Sequence, residues 1–195
     1  DLVEGYDGPA EDLLSVSAFG GQGPREDELA EALFAGTDVS QHDIIGMSRG
    51  NFAGYADEGS FRKHGSSGGL VSWLLCELLD QGLIDGVVHM KPSLNENLLF
   101  QYGISRTKEE VQAGSSSHYY PGELSQVLSE ITSSRERYAV TAIPSFAYEL
   151  RLLQKLRPDY GERFPYVIGL VCGHQKTTHY AHQLAWRAGV TPQDL

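Results

Sequence analysis

The sequence predicts an α/β fold with a largely parallel or mixed sheet flanked by helices on both faces. Apolar runs at residues 84–90, 137–143 and 166–173 are too short for helices and have the length of strands. Segments with helical spacing alternate with these runs along the chain. Strands that alternate with helices are typical of a sheet that helices cover.

The strongest single element is a helix within residues 65–82, which begins with Ser and Gly and stops at Gly82. Its apolar residues recur at helical spacing and predict a wide buried face: Leu70, Val71, Leu74, Leu75, Leu78 and Leu79. The other predicted elements, in order, are a mostly irregular lead-in (1–25), a helix (26–36), one or two short strands (43–56), strands at 84–90 and 98–107, helices at 108–114 and 123–131, a strand (137–143), a helix (144–158), a strand (166–173) and a last helix (176–189). We expect residues 1–40 to form an acidic lead-in with a short helix, and residues 41–195 to form the α/β domain.

Composition restricts the class of partner. The chain has 195 residues, of which 41% are hydrophobic and 21% charged, as in a soluble globular domain. Its net charge of −11 disfavours nucleic acid and anionic membrane surfaces as partners. No signal peptide or membrane-spanning run is visible, and two cysteines are too few for a disulfide framework, so we expect a cytoplasmic protein.

The start of the long helix is a candidate anion site. Free N–H groups and the positive end of the helix dipole gather there, and serine hydroxyls can donate to phosphate oxygens. This phosphate cradle would consist of Ser66, Ser67, Gly68 and Gly69, with Arg62, Lys63 and His64 just upstream. The alternative is an ordinary Ser N-cap. Spacing alone favours that alternative, because the segment is neither a Walker loop nor a GxGxxG fingerprint.

Two further segments have the same ambiguity. Ser105, Arg106 and Thr107 suit an anion, but Thr107 with Glu110 also forms a capping-box pattern, which is the safer interpretation of that motif alone. The loop at residues 113–122 has two adjacent tyrosines that can stack on a flat ring, beside serines and a histidine that can bond to its edge. The same loop is equally well explained as a surface loop with one tyrosine in the core.

Cys172 follows an apolar strand, where ligands of α/β sheets bind, while Cys76 lies in the apolar helix and is expected in the core. A zinc site of Cys172 with His174, His179 and His182 matches no standard spacing.

Together, the motifs resemble one family. The order FRKHGSSGG, GLIDGVV, ISRT, SSHYYP, YAVTAIP, IGLVCGH is similar to that of the coenzyme F420 hydrogenase/dehydrogenase beta-subunit family, and most of all to its members from polysaccharide biosynthesis gene clusters. The resemblance runs from about Ile44 to the end of the chain.

The resemblance implies an FAD-binding domain cut from a longer iron–sulfur flavoprotein, without the family's ferredoxin-like N-terminal segment and its C-terminal part. It assigns the flavin contacts to Ser66, Ser67, Gly68, Gly69, Ser105, Arg106, Thr107, Ser117, His118 and Tyr119. It makes Cys172 an iron–sulfur ligand, whereas Ser145 stands where the family usually has a second cysteine. A 4Fe–4S cluster needs four thiolates, so we expect it in the full-length protein and not in this fragment.

The implied function is an FAD-dependent oxidoreductase that transfers electrons between a flavin and iron–sulfur clusters. Its partners would be the flavin nucleotide and a redox partner or small-molecule substrate, in a homo-oligomer or as one subunit of a hetero-complex. No catalytic residue is assigned; His64, His118 and His174 are candidates because imidazole titrates near neutral pH. The alternatives are a cofactor-poor, non-catalytic scaffold and a nucleotide-sugar-binding protein of polysaccharide biosynthesis.

Overall fold

A computed structural model describes residues 9–191 of the chain. They divide into two compact units. The first unit comprises the described residues up to Ala53 together with Pro144–Gly161, and the second comprises Gly54–Ile143 and the described residues from Glu162 onward.

Helices and strands alternate along the described chain, mostly in pairs of like elements. The helices are α1 (Ala10–Val16), α2 (Glu26–Phe34), α3 (Phe61–His64), α4 (Leu70–Asp80), α5 (Lys108–Ala113), α6 (Ser125–Ile131), α7 (Pro144–Leu156), α8 (Asp159–Arg163) and α9 (Thr178–Arg187). The strands are β1 (Ser40–His42), β2 (Gly46–Ser48), β3 (Gly86–Pro92), β4 (Phe100–Ser105), β5 (Tyr138–Ala142) and β6 (Tyr166–Gly169). None of these helices is long and apolar enough to cross a membrane.

The second unit is built on a mixed four-stranded sheet in the order β4-β3-β5-β6. β3 pairs with β4 antiparallel and with β5 parallel, and β5 pairs with β6 parallel. The predicted α/β class with a mixed sheet and flanking helices is therefore confirmed. β5 is buried along its whole length because it is a central strand, which explains why its sequence is a continuous apolar run.

The core of the second unit joins α4 and α5 to the sheet. It contains Leu75, Cys76, Leu78, Ile84, Val87, Val111 and Ala139. Val87 and Ala139 are register partners on β3 and β5, so the two helices cover neighbouring central strands. This packing fixes where the first residues of α4 and α5 lie.

The first unit contains α1, α2, β1, β2, α7 and the first residues of α8. The Tyr148 hydroxyl donates to the Pro24 carbonyl, and the backbone N–H of Ala18 donates to Glu149 at 3.0 Å. α7 is thereby fixed to the segment that links α1 and α2.

Some boundaries differ from the prediction. The lead-in, predicted to be mostly irregular, contains a helix at Ala10–Val16, α1, whose first turn has Glu11 and Asp12, where acidic side chains stabilise a helix. The strand predicted to reach residue 173 ends at Gly169, because its last partner, Ala142, is also the last residue of β5. Cys172 therefore lies beyond the strand end.

Candidate functional site

The N-terminus of α4 is open. Its N-cap is Gly69, in the left-handed region at φ 74°, and no side chain caps the helix. Ser66, Ser67 and Leu70 around it are exposed. The alternative of an ordinary Ser N-cap is therefore wrong, and the first N–H groups of an eleven-residue helix lack a side-chain partner.

The two glycines before α4 let the backbone pack closely on itself. A Cβ at Gly69 would lie 2.5 Å from the carbonyl oxygen of Phe61, and a Cβ at Gly68 would lie 2.8 Å from that of Gly54. The Ala56 N–H also donates to the Gly68 carbonyl at 2.8 Å. The glycines thus position the start of α4 rather than leaving room above it.

The loop after α5 is tied to the segment before α4. The Ser117 N–H donates to Ser66 Oγ at 2.7 Å. The hydroxyls of Ser115 and Ser116 both donate to the His64 carbonyl, at 3.3 and 2.9 Å. The structure therefore brings together two predicted contact segments that are about 50 residues apart in the sequence.

After Ser117, the rings of His118, Tyr119 and Tyr120 lie in different surroundings. His118 stacks on Phe100 with ring centroids 4.2 Å apart, and burial lowers the pKa of His118 although a hydrogen bond to the Gly114 carbonyl opposes this. Tyr120 is buried, whereas Tyr119 is 59% exposed and contacts Tyr180 edge to face. One tyrosine is in the core, as the surface-loop interpretation predicts, and the other remains accessible.

The start of α5 is closed. Thr107 Oγ1 accepts from the Glu110 N–H at 3.3 Å, and the Glu110 carboxylate accepts from the Arg106 N–H at 2.7 Å. The Arg106 guanidinium donates two hydrogen bonds to the Glu136 carboxylate, at 2.9 and 2.8 Å. The Thr107–Glu110 cap is therefore confirmed. Arg106 and Thr107 both have partners within the protein, and their predicted flavin contacts stay predictions.

Ser105 belongs to a buried polar cluster that the sequence analysis missed. His89 Nε2 lies 2.8 Å from Ser105 Oγ, and Lys91 Nζ donates to the same oxygen at 3.2 Å and to the Ile104 carbonyl at 3.0 Å. The pKa of His89 is lowered to about 4, first by burial and then by the charges of Lys91 and His118. The available signal was a histidine and a lysine two residues apart at the end of an apolar run, which places both on one face of a strand.

A small surface cavity, largely open to solvent and also missed, adjoins the first turn of α4. It measures about 300 Å³ and is lined by Tyr55, Ala56, Asp57, Glu58, Leu70 and Trp73. The Trp73 indole N–H donates to a Glu58 carboxylate oxygen. The Arg62 guanidinium lies over the Tyr55 ring, 3.9 Å from its centroid.

Neither cysteine belongs to a candidate cluster site in the described part of the chain. Cys76 is buried, and burial raises its pKa to about 11, which disfavours the thiolate that a metal needs. Cys172 is partly exposed, with Sγ 3.4 Å from the His174 carbonyl, and Ser145 lies in the first turn of α7. Within residues 9–191, no group of three or more His, Cys, Asp and Glu side chains is placed to hold a metal ion. These residues do not fit a 4Fe–4S cluster.

Fold and site together define an α/β domain with an open, serine-containing helix start beside a polar loop. Two family models match the chain: coenzyme F420 hydrogenase/dehydrogenase beta subunit, N-terminal part, over residues 51–129, and the C-terminal part over residues 135–195. The chain belongs to the coenzyme F420 hydrogenase/dehydrogenase beta-subunit family.

A solved structure has a similar fold. It is a chain of the F420-reducing NiFe hydrogenase complex from Methanosarcina barkeri, studied by xenon derivatization, with a TM-score of 0.59 and 18% sequence identity. The match covers 70% of this chain and 50% of that chain, so the present sequence spans half the length of its structural neighbour. No curated protein matches the chain. Both the family and the neighbour carry the name of hydrogenases or dehydrogenases.

Proposed function

We propose that this chain is the FAD-binding domain of an iron–sulfur-linked oxidoreductase, and that FAD binds at the start of α4. The observation that carries the proposal is the open N-terminus of α4, with Ser66 tied to Ser117 of the neighbouring loop. Membership in a hydrogenase/dehydrogenase family supports the redox role.

The residues around the start of α4 suit a pyrophosphate. The unpaired N–H groups of the first turn and the helix dipole both favour an anion. The Ser66 hydroxyl accepts from the Ser117 N–H and keeps its own proton, so it can still donate to a phosphate oxygen. Ser67 is exposed and can donate in the same way.

The loop after α5 supplies groups for a flat ring. Tyr119 is accessible for stacking, and His118 is held in place by Phe100 and the Gly114 carbonyl. Burial lowers the pKa of His118, which favours the neutral ring. Nε2 then donates to the Gly114 carbonyl, and the other ring nitrogen can accept a hydrogen bond from a ring edge. A bound flavin would supply two-electron acceptance and single-electron release. We assign no iron–sulfur ligand within residues 9–191.

The absorption spectrum of the intact, purified protein tests the proposal. We expect a yellow protein that bleaches on reduction and, after removal of the flavin, takes up added FAD. Ser66→Ala should weaken FAD binding about tenfold, because it removes both a donor and the tie to Ser117.

Ser93→Ala is the matched control. Ser93 lies on the β3–β4 connection and bonds to Gln101 at 2.8 Å, so its removal should leave FAD affinity unchanged. A colourless protein that refuses FAD would contradict the proposal. In that case, tight binding of a nucleotide sugar would favour the glycan-assembly alternative, and the absence of any nucleotide binding would favour the scaffold.

A further inference from the structure

We infer that the cavity beside the first turn of α4 binds the adenosine half of the flavin nucleotide. This inference rests on the proposed function and assigns a part of the ligand to residues that no motif indicated.

The position of the cavity is the first argument. Leu70 is the first residue of α4 and lines the cavity, and the Ala56 N–H bonds to the carbonyl of Gly68. The cavity is therefore next to the N–H groups proposed to bind pyrophosphate. In FAD the adenosine is attached directly to the pyrophosphate, so it must lie next to that anion site.

The size of the cavity is the second argument. At about 300 Å³ it lies at the low end of the range for ligand pockets, roughly 300–1,000 Å³. It is suited to one half of a dinucleotide and not to the whole molecule.

The chemistry of the residues that line the cavity indicates which half of FAD binds there. Asp57 and Glu58 place carboxylates at the cavity, and carboxylates accept hydrogen bonds from the ribose hydroxyls and the adenine amino group. The same charges disfavour a reduced flavin ring, which becomes anionic. An uncharged, hydroxyl-rich nucleoside fits this lining better than the flavin ring does.

Trp73 provides the surface for a base. Its indole N–H bonds to Glu58, which fixes the plane of the ring before a ligand arrives. Tyr55 is less suitable, because the Arg62 guanidinium already covers one face of its ring. A base stacked on Trp73 would add to the binding affinity, as base–aromatic stacking does in proteins that bind single-stranded nucleic acids.

The affinities of FAD and FMN separate the two halves, since FMN lacks the adenosine. In the intact protein freed of flavin, Trp73→Ala should weaken FAD binding about tenfold and leave FMN binding within twofold. The matched control is Trp186→Ala, which removes the chain's other tryptophan, 72% exposed on α9, and should change neither affinity. Asp57→Asn, at an exposed position, should weaken FAD about threefold and leave FMN unchanged, and it does not depend on replacing a large side chain.

A direct readout uses Trp73 fluorescence. In Trp186→Phe, Trp73 is the remaining tryptophan of this chain, and ADP should quench its emission and be displaced by FAD. UDP should bind more weakly than ADP, because uracil offers a smaller ring for stacking.

The outcomes distinguish this inference from the proposed function. If FAD and FMN both bind, and Trp73→Ala and Asp57→Asn change their affinities equally or not at all, the adenosine assignment is overturned while the flavin proposal stands. Tighter binding of UDP than of ADP would also overturn the assignment. If neither FAD nor FMN binds the unaltered protein, the proposed function and this inference are both overturned.

Discussion

The starts of α4 and α5 look alike in the sequence and differ in the structure. Both have hydroxyl-bearing residues just before an amphipathic helix, and both were candidates for an anion site. At α5, Thr107, Glu110 and Glu136 occupy the available donors. At α4, the cap is a glycine, and the nearby serine bonds to another loop.

The difference shows what makes a helix start available to a ligand. A side chain with a short reach, such as Thr107, closes the helix locally. A left-handed glycine ends the preceding segment without supplying a side-chain acceptor, so the first N–H groups of α4 stay available to a ligand.

Gly69→Ala should disrupt the open N-terminus of α4 and should have the largest effect of these substitutions on the free energy of unfolding. The left-handed φ costs about 1 kcal/mol, and the 2.5 Å approach to the Phe61 carbonyl adds about 2 kcal/mol. We expect urea unfolding to show a loss of about 3 kcal/mol in the free energy of unfolding, together with weaker FAD binding. Gly82→Ala is the control, since Gly82 also has a positive φ, 63°, but a Cβ there meets nothing within 4 Å.

The control should cost only about 1 kcal/mol. Equal losses of unfolding free energy in Gly69→Ala and Gly82→Ala would show that the close packing before α4 does not contribute to stability.

A fall in pH should lower the free energy of unfolding through His89, which bonds to Ser105 at the end of β4, just before the closed start of α5. The pKa of His89 is about 4 in the folded chain and about 6.5 when unfolded, so the unfolded state takes up a proton first as the pH falls. Stability due to neutral His89 is complete above pH 6.5 and is lost toward pH 4. We expect a loss of about 2 kcal/mol between pH 7 and pH 5, measured by urea unfolding.

His89→Gln should be less stable at pH 7 and should lose most of this pH dependence. The exposed His174, changed to Gln, is the control and should retain the slope of the unaltered protein. A slope that is the same in all three proteins would exclude His89 as its source.

Arg106→Gln should have the smallest effect on the free energy of unfolding. It tests the comparison between the starts of α4 and α5 most directly. The Arg106–Glu136 pair is about half exposed, so its loss should cost about 0.5 kcal/mol after solvent screening. Arg137→Gln is a matched control, because the Arg137–Asp85 pair has the same exposed fractions, 46% and 42%.

From the geometry we expect neither variant to change FAD affinity by more than twofold in a titration. A selective loss of FAD affinity in Arg106→Gln would instead support the contact that the family resemblance assigns to Arg106.

The sheet and α4 could be predicted because their signals are local and strong. β5 is a short apolar run that is buried on both sides, and the apolar face of α4 repeats at helical spacing. The wide buried face predicted for α4 was wrong in its first half, because Leu70, Val71 and Leu74 are exposed. The helix α1 was missed because its seven residues lie in a stretch rich in Gly, Pro and acids, where composition outweighed the helix-start signal of Pro9 followed by two acidic residues, Glu11 and Asp12.

The site could be predicted only in part, because its contacts are between distant segments. The SSGG and SSHYY motifs were both recognised, but no spacing rule indicates that Ser66 and Ser117 bond to each other. The cavity depends on Glu58 meeting Trp73 across fifteen residues, and the polar cluster depends on the register that sets His89 opposite Gly103, two residues from Ser105.

The bond from Ser117 to Ser66 also has a consequence for how the molecule is made. The two residues are separated by α4, β3, β4 and α5, so the helix start cannot acquire its final form until all of these elements have been synthesised and packed. Contacts of such long sequence separation form slowly and late, since the intervening chain must first be ordered. A nascent chain that ends before residue 117 would contain the whole serine–glycine segment and still lack the arrangement that we propose grips the nucleotide.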